Sequence, residues 1–323
     1  MKRNCSNCLE EKMKQIISAL GLSFFFIYLL LFPADSLTSA QYGLVLWANH
    51  VVPVLFPMML MSGLITESNL AWYLVRPFKK LFRLFIPVSD YGIYAMVVGF
   101  LCGYPMGCKT LRDLYCQKKI SQKECHYLAG FCNNVSPSFV ISYVILQHFP
   151  EKNWLLPALF ITYGSPLIYG ILSGKRQKNS ALRITETAPP SIKFTFSQLD
   201  HCISTSITAI LKLGGYLVPF TILCTIIRKM PVYPSLKYIL CGFLEITNGI
   251  SFLSVCADSL PVFTFLSMIS FLSFGGLCSA FQSKELLESF QMSLPDYLLS
   301  KIKITAISLL LAGIYLIISV GLR

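Results

Sequence analysis

The sequence predicts an all-α, multi-pass integral membrane protein, and three observations lead to that class. Of its 323 residues, 54% are hydrophobic and 13% are charged, with a mean hydropathy of +0.63, whereas soluble domains carry about 25% charged residues. Several apolar runs approach the roughly 20 residues with which a helix crosses a bilayer. The bases behind the net charge of +12 lie in short connections between these runs, a pattern typical of membrane orientation rather than of nucleic-acid binding.

The predicted spans, in chain order, are 16–32, 44–65, 154–172, 203–227, 262–281 and 302–322. Residues 1–15 carry four Lys or Arg, so we expect a cytoplasmic N-terminus. A cleaved signal peptide is the alternative for the first run. That run is longer than a usual signal and no A-x-A-like site follows it, which favours a retained anchor. The basic and aromatic stretch 72–85 is expected to lie at the membrane interface.

Four regions are predicted: an N-terminal tail with the first transmembrane helix (1–43), a first membrane repeat (44–174), a basic cytoplasmic linker (175–200) and a second membrane repeat (201–323). At an offset of 143 residues, Gly99-Phe100-Leu101 aligns with Gly242-Phe243-Leu244, and Phe131 aligns with Phe274. The predicted topology takes run 44–65 inward and run 203–227 outward. We therefore expect the two repeats to be inverted.

Both repeats contain an apolar segment that is interrupted by Gly, Pro or polar residues, at 99–109 and at 242–249. A break inside a bilayer exposes backbone polar groups, which is tolerated only where they face protein or a water-filled cavity. Because bases flank the first segment on both sides, it is expected to be a re-entrant hairpin or discontinuous helix, with an ordinary kinked span as the alternative. Paired breaks of this kind indicate a transporter-like site.

Glu245 is the strongest single candidate for function. A carboxylate inside an apolar run is costly in lipid and normally faces a cavity, a partner or an ion. The alternatives are a structural hydrogen bond to Thr247 or Asn248, or neutralisation by Lys212.

Lys109 follows the Gly-Tyr-Pro turn and could meet an anionic substrate, helped by the N–H of Gly107 at the start of the next helix. An anchor charge in the cytoplasm is the alternative. Uncharged polar residues are also predicted to bind the substrate, because amides and hydroxyls can form hydrogen bonds with its polar atoms without the cost of burying a charge. The predicted substrate-binding set is Gly103, Tyr104, Pro105, Gly107, Lys109, Asn133, Asn134, Ser136, Glu245, Thr247, Asn248, Gly275, Gly276 and Gln282.

Enzymatic chemistry is not indicated. The sequence contains no H-E-x-x-H, G-x-S-x-G or G-x-x-x-x-G-K-[ST] motif, which removes the sequence support for a metalloprotease, a serine hydrolase or an ATP-driven pump. We expect no catalytic residue, no metal and no cofactor. The expected partners are a small-molecule anion and the lipid bilayer, with no nucleic acid; a coupling ion or proton and a homo-oligomer are left open.

Four motifs carry a resemblance to a known family: GYPMGCK at 103–109, FCNNVSP at 131–137, EITNG at 245–249 and GGLCSAFQ at 275–282. In this order they resemble the sporulation integral membrane protein YlbJ family, whose members carry paired nucleoside-recognition, or Gate, domains. The resemblance extends from about Leu44 to the C-terminus. Met106 and Cys108 stand where smaller residues are usual in that family.

The resemblance implies a role in spore formation, with Gate-like repeats in both halves. It further implies transport of dipicolinic acid from the mother cell across the outer forespore membrane. The hypothesis is therefore a transporter or channel for a small anionic metabolite, located in the cell membrane. A non-transporting scaffold for spore envelope assembly and a nucleoside transporter are the alternatives.

Overall fold

The computed structural model describes residues 2–150, 153–177 and 191–321, and within them the chain is helical without strands. Among these residues, five helices are long and apolar enough to cross a membrane. This confirms the prediction of an all-α, multi-pass membrane protein. The spanning helices are Pro33–Glu67, Leu155–Gly174, Phe196–Lys229, Pro261–Glu288 and Leu294–Ser319.

The first half begins with two long helical segments. The apolar part of the first helix, Ser18–Leu31, is shorter than the five spans, and the helix Pro33–Glu67 starts ahead of the predicted run 44–65. The helices of this half are α1 (Lys2–Leu31), α2 (Pro33–Leu46), α3 (Val52–Glu67), α4 (Leu70–Val75), α5 (Lys79–Phe85), α6 (Asp90–Cys102), α7 (Met106–Cys116), α8 (Gln122–Cys132) and α9 (Leu155–Gln177). A π-helical turn, Trp47–Val51, joins α2 to α3, and a π-helical segment, Phe139–His148, follows α8.

The second half is reached after the linker, of which residues 178–190 lie outside the described residues. Its helices are α10 (Phe196–Lys229), α11 (Pro234–Leu244), α12 (Ile246–Leu253), α13 (Pro261–Phe274), α14 (Gly276–Glu288) and α15 (Leu294–Gly321). Thr195 caps α10 in a full capping box, because its side chain accepts from Gln198 N–H and the Gln198 side chain accepts from Thr195 N–H.

The same order of elements occurs in both halves. A long spanning helix is followed by two short helices that fold back on each other, then by a helix that breaks, and then by a second long helix. In the first half, α4 and α5 stand between the span and the short pair, whereas only residues 230–233 intervene in the second half. The inverted relation of the two halves stays a prediction.

Two sequence expectations are corrected by the structure. The run 262–281 lies within one span, Pro261–Glu288, but it is not the continuous helix that was expected. It divides between α13 and α14 because Gly275 and Gly276 take the left-handed φ values of +85° and +78°, a region that a residue with a Cβ rarely enters. The sequence S-Q-K-E at 121–124 predicts a capping box, with Ser121 as the N-cap and Glu124 at the third helical position. The Ser121 hydroxyl does accept from Glu124 N–H, but the Glu124 carboxylate instead accepts from Ser89 N–H at 2.7 Å.

The two largest hydrophobic clusters each contain residues from both halves. One core surrounds α6, α7 and α8 and includes Leu213 of α10 and Leu287 of α14. The other joins the π-helical segment and α9 to α12, α13 and α15. Burial of apolar surface therefore holds the two halves together as one unit.

Candidate functional site

The first hairpin consists of α6 and α7, joined by the turn at Gly103, Tyr104 and Pro105. Met106 N–H donates to Gly103 C=O at 2.8 Å and closes the turn, and Gly103 has a φ of +85°. The arms come close where Gly99 faces Gly107, since a Cβ built at Gly99 would lie 3.0 Å from the Gly107 Cα. The glycines therefore allow α6 and α7 to lie against each other and against the end of α8.

The second hairpin consists of α11 and α12, joined at Glu245. Its arms meet at Gly242 and Gly249, where a Cβ built on Gly249 would lie 2.1 Å from the Gly242 Cα. No side chain fits between backbones at that separation, so this pair of glycines determines how tightly the hairpin closes. Each half thus contains a helical hairpin at the position of its interrupted apolar segment.

Two further helix interruptions lie beside the hairpin tips. The first break, residues 133–136, separates α8 from the π-helical segment, and the second, at Gly275, separates α13 from α14. A Cβ built at Gly103 would lie 2.9 Å from Ser136 N, one built at Gly276 would lie 3.3 Å from Ile246 N, and one built at Gly275 would meet the Tyr104 hydroxyl at 2.1 Å. Both tips and both breaks therefore converge.

A first cavity, of about 290 Å³, lies at this convergence. Among the predicted residues, it is lined by Gly103, Tyr104, Ser136, Glu245, Thr247, Gly275 and Gln282. Residues that the sequence did not assign to a site also line it, including Gln147, Tyr143 and Ser279. Asn49 and His50 of the π-helical turn also line the cavity. Apart from Glu245 and His50, the polar groups lining the cavity are uncharged in their ordinary forms.

A second cavity, of about 440 Å³, is lined by Pro105, Lys109 and Gln282 among the predicted residues. It carries three cations, Lys109, Arg112 and Lys212, and three carboxylates, Glu67, Asp113 and Glu285. Two of the cations are paired, because Lys109 Nζ lies 3.0 Å from Asp113 Oδ2 and Lys212 Nζ lies 2.7 Å from Glu285 Oε2. The alternative in which Lys212 neutralises Glu245 is therefore not observed.

Glu245 acts as the N-cap of α12 while it lines the first cavity. One carboxylate oxygen accepts from the N–H and hydroxyl of Thr247 at 3.0 and 2.9 Å, and the other accepts from the N–H and side-chain amide of Asn248 at 2.7 and 2.6 Å. The side chain is 2% exposed. A carboxylate at a helix N-terminus is stabilised by these donors and by the helix dipole, so its charge needs no cation.

Five of the predicted residues line neither cavity: Gly107, Asn133, Asn134, Asn248 and Gly276. They support the residues that do. Asn133 donates to the Ser283 hydroxyl and to the Tyr297 hydroxyl, both at 3.0 Å, and so joins the first break to α14 and α15. Asn134 donates back to Phe131 C=O at 2.7 Å.

Sequence reasoning missed Lys301, which is fully buried in α15. Its ammonium donates to Asn133 C=O and, at 3.2 Å, to Asn134 Oδ1. It also lies 5.0 Å from the centre of the Tyr104 ring, within the range of a cation–π contact. The cation therefore donates to the buried C-terminal end of α8 and contacts the tip of the first hairpin.

The burial of Lys301 could have been predicted from the spacing of residues in the last helix. Tyr297, Lys301, Ile304 and Ser308 recur at helical spacing and form one buried face of α15, whereas Lys303 is exposed.

Comparison with known proteins gives one relative that bears on function. No family model matches the chain and no solved structure matches it. The sporulation integral membrane protein YlbJ of Bacillus subtilis (strain 168) is 25% identical over 232 residues, which cover 64% of this chain and 56% of that protein. The resemblance to the YlbJ family is confirmed. The chain thus spans little more than half the length of this relative, and it resembles a sporulation-associated protein of the membrane.

Proposed function

We propose that the chain is an α-helical transporter or channel that moves a small metabolite across a membrane during sporulation. The observation that carries the proposal is the convergence of two hairpin tips and two helix breaks around the first cavity. Broken helices supply exposed backbone groups to a solute, and such groups are tolerated within a membrane where they face a cavity. A purely structural contact between helices would not require four interruptions at one place.

The substrate that we propose first is a small anion, with dipicolinic acid moving from the mother cell toward the forespore as the specific candidate. Two observations support it: the resemblance to a sporulation protein and the cations Lys109, Arg112 and Lys212 along the second cavity. The location that goes with this substrate is the outer forespore membrane. Lys109 is 7% exposed, so a solute would have to displace or share its contact with Asp113.

A nucleoside is the second candidate, and the lining of the first cavity favours it. Gln147, Ser136, Ser279 and Gln282 offer uncharged donors and acceptors, and the aromatic side chains of Tyr104 and Tyr143 lie beside them. Such a lining suits a neutral polar ring better than a dianion, because an anion there would face the Glu245 carboxylate without a lining lysine or arginine.

Flux of labelled dipicolinate and labelled uridine into proteoliposomes tests both candidates, under imposed proton and sodium gradients that reveal a coupling ion. We expect saturable dipicolinate flux that is abolished in Glu245→Gln and in Lys109→Ala. The matched controls are Glu288→Gln and Lys303→Ala, since both residues are exposed and line neither cavity.

The outcomes separate the hypotheses. Uridine flux without dipicolinate flux would select the nucleoside transporter. Unchanged dipicolinate flux in both site variants would overturn the site assignment but leave transport standing. Absence of flux for either solute under every gradient, from protein that melts as one cooperative unit, would favour the non-transporting scaffold.

A further inference from the structure

The two cavities have a wall in common. Leu213 of α10 and Gln282 of α14 line both of them, although the cavities have otherwise different residues. A side chain that lines two spaces has one space on each side of it, so at this point the wall is one side chain thick. The tip of the first hairpin continues the wall, because Tyr104 lines the first cavity and Pro105 lines the second.

The cavities open toward opposite ends of the helices according to the predicted topology. The second cavity contains Arg112 and Gln117, which precede the basic residues Lys118 and Lys119 of the connection expected in the cytoplasm. The first cavity contains Gln147, near the end of the π-helical segment that leads away from that side. The two spaces therefore lie along one direction through the molecule.

The hairpin tip is the fixed part of the wall. Gly103 packs against Ser136, the Tyr104 hydroxyl packs against Gly275, and Lys301 lies against the Tyr104 ring. The side chain of Gln282 is held less firmly, since the hydrogen bond recorded for it is a donation to Cys278 Sγ at 3.2 Å, and a thiol sulfur is a weak acceptor. Leu213 contributes apolar packing without a polar contact.

We propose that the two cavities are the two halves of a single path, and that Leu213 and Gln282 form the gate between them against the fixed hairpin tip. This inference rests on the proposed transport function for its role. A small polar solute would exchange its hydrogen bonds with the Gln282 amide as it passes from one cavity to the other. Displacement of two side chains is a small rearrangement compared with movement of a hairpin.

The cysteines of the chain provide reporters on both sides of the gate. Cys278 lines the first cavity, and Cys116 and Cys202 line the second. A negatively charged, membrane-impermeant methanethiosulfonate added outside sealed inverted vesicles reaches only the cytoplasmic side, and peptide mass spectrometry reads each cysteine separately. In the unaltered protein we expect labelling of the exposed Cys116, with little labelling of Cys278 from that side.

Opening of the gate should expose Cys278 to the same reagent. We expect Leu213→Ala and Gln282→Ala each to raise the rate of Cys278 labelling from the cytoplasmic side by roughly tenfold, equivalent to about 1.4 kcal/mol in the opening equilibrium. Leu217→Ala is the matched control, because Leu217 also lies in α10, is 4% exposed against 5% for Leu213, and lines the first cavity alone.

The gate would be contradicted if the labelling rate of Cys278 rose equally in Leu217→Ala and Leu213→Ala but did not rise in Gln282→Ala. Equal labelling of Cys278 from both sides of the unaltered protein would also overturn it. Cys132 monitors unfolding, since it is fully buried and lines neither cavity. Cysteine labelling is measured independently of flux. If labelling shows the gate but neither dipicolinate nor uridine is transported, the path is supported and carries another solute. If either solute is transported but the variants do not change the labelling of Cys278, the proposed function is supported and the gate is contradicted.

Discussion

In both hairpins the two arms pack against each other at a pair of glycines, but different groups stabilise the two tips. In the second hairpin, the carboxylate of Glu245 accepts four hydrogen bonds from Thr247 and Asn248 and so caps the following helix from within the hairpin. In the first hairpin, the tip has no such group, and its support comes from Lys301 and from the glycines that pack on the neighbouring breaks. The second tip therefore contains its own cap, although Thr247 C=O also accepts from the Tyr143 hydroxyl and Asn248 also donates to Thr221. The cation that supports the first tip comes from another helix, α15.

The two tips should respond differently when the neighbouring helices shift. A tip that satisfies its own helix N-terminus keeps its structure when the neighbouring helices shift, whereas a tip held by a cation on α15 depends on where α15 lies. The support of the first tip thus depends on the position of α15. The following predictions test that contrast, beginning with the contact that both hairpins require.

The largest effect is expected at the glycine contact of the second hairpin. Gly249→Ala places a Cβ 2.1 Å from the Gly242 Cα, and because backbone cannot move aside as a side chain does, we expect a loss of about 3 kcal/mol or more in the free energy of unfolding. Gly215→Ala in α10 is the control, since a Cβ there meets nothing within 4 Å and alanine favours helix by about 1 kcal/mol.

Denaturant titration in detergent, followed by circular dichroism, measures both variants. Equal stability of Gly249→Ala and Gly215→Ala would show that the arms of the second hairpin do not meet at these glycines.

The next effect concerns the external support of the first hairpin. Lys301→Met keeps the volume of the side chain but removes the donor to Asn133 C=O and Asn134 Oδ1, so we expect a loss of roughly 2–3 kcal/mol. Lys303→Met, two residues away and exposed, should change the stability by less than about 0.5 kcal/mol. If Lys301→Met matches the control in the same titration, the first tip has no need of the cation.

How far the sequence predicts the structure depends on the kind of interaction. The interruptions at 99–109 and 242–249 are visible as Gly, Pro and polar residues in apolar runs, because they reflect local backbone preferences. The break at Gly275 was missed inside run 262–281, since a glycine pair in an apolar run is equally compatible with close packing of a continuous helix. The left-handed φ of Gly275 becomes apparent only in the folded chain.

The candidate site shows the same limit. The importance of Glu245 follows from the cost of a carboxylate in an apolar run, and the structure places it on the first cavity. Glu245 and Lys109 do not line the same cavity, since Lys109 lies on the second one. The local sequence does not indicate which side of a hairpin tip each residue faces. The partner of Lys301 is 168 residues away in the chain, a separation that periodicity cannot bridge.

A smaller effect is expected from the internal cap of the second hairpin. Glu245→Gln retains one acceptor oxygen but removes the charge and places an amide where Thr247 or Asn248 donates, so we expect a loss of about 1–2 kcal/mol. The exposed Glu285→Gln, which weakens the ion pair with Lys212, should cost less than about 1 kcal/mol. Comparable losses in thermal melts of the two variants would mean that Glu245 does not cap α12.

The smallest effect distinguishes the two parts of Tyr104 at the first tip. Its hydroxyl is buried without a hydrogen-bond partner among the described residues, so Tyr104→Phe removes an unsatisfied group and should leave the stability unchanged or slightly raised. Tyr104→Leu removes the ring that faces Lys301 at 5.0 Å and should cost about 0.5–2 kcal/mol through the lost cation–π contact. A clear loss of stability in Tyr104→Phe would mean that the hydroxyl, which packs against Gly275, anchors the tip. The first hairpin would then be held to the second half of the protein through the phenol rather than through the cation, and the contrast between the two tips would need a different cause.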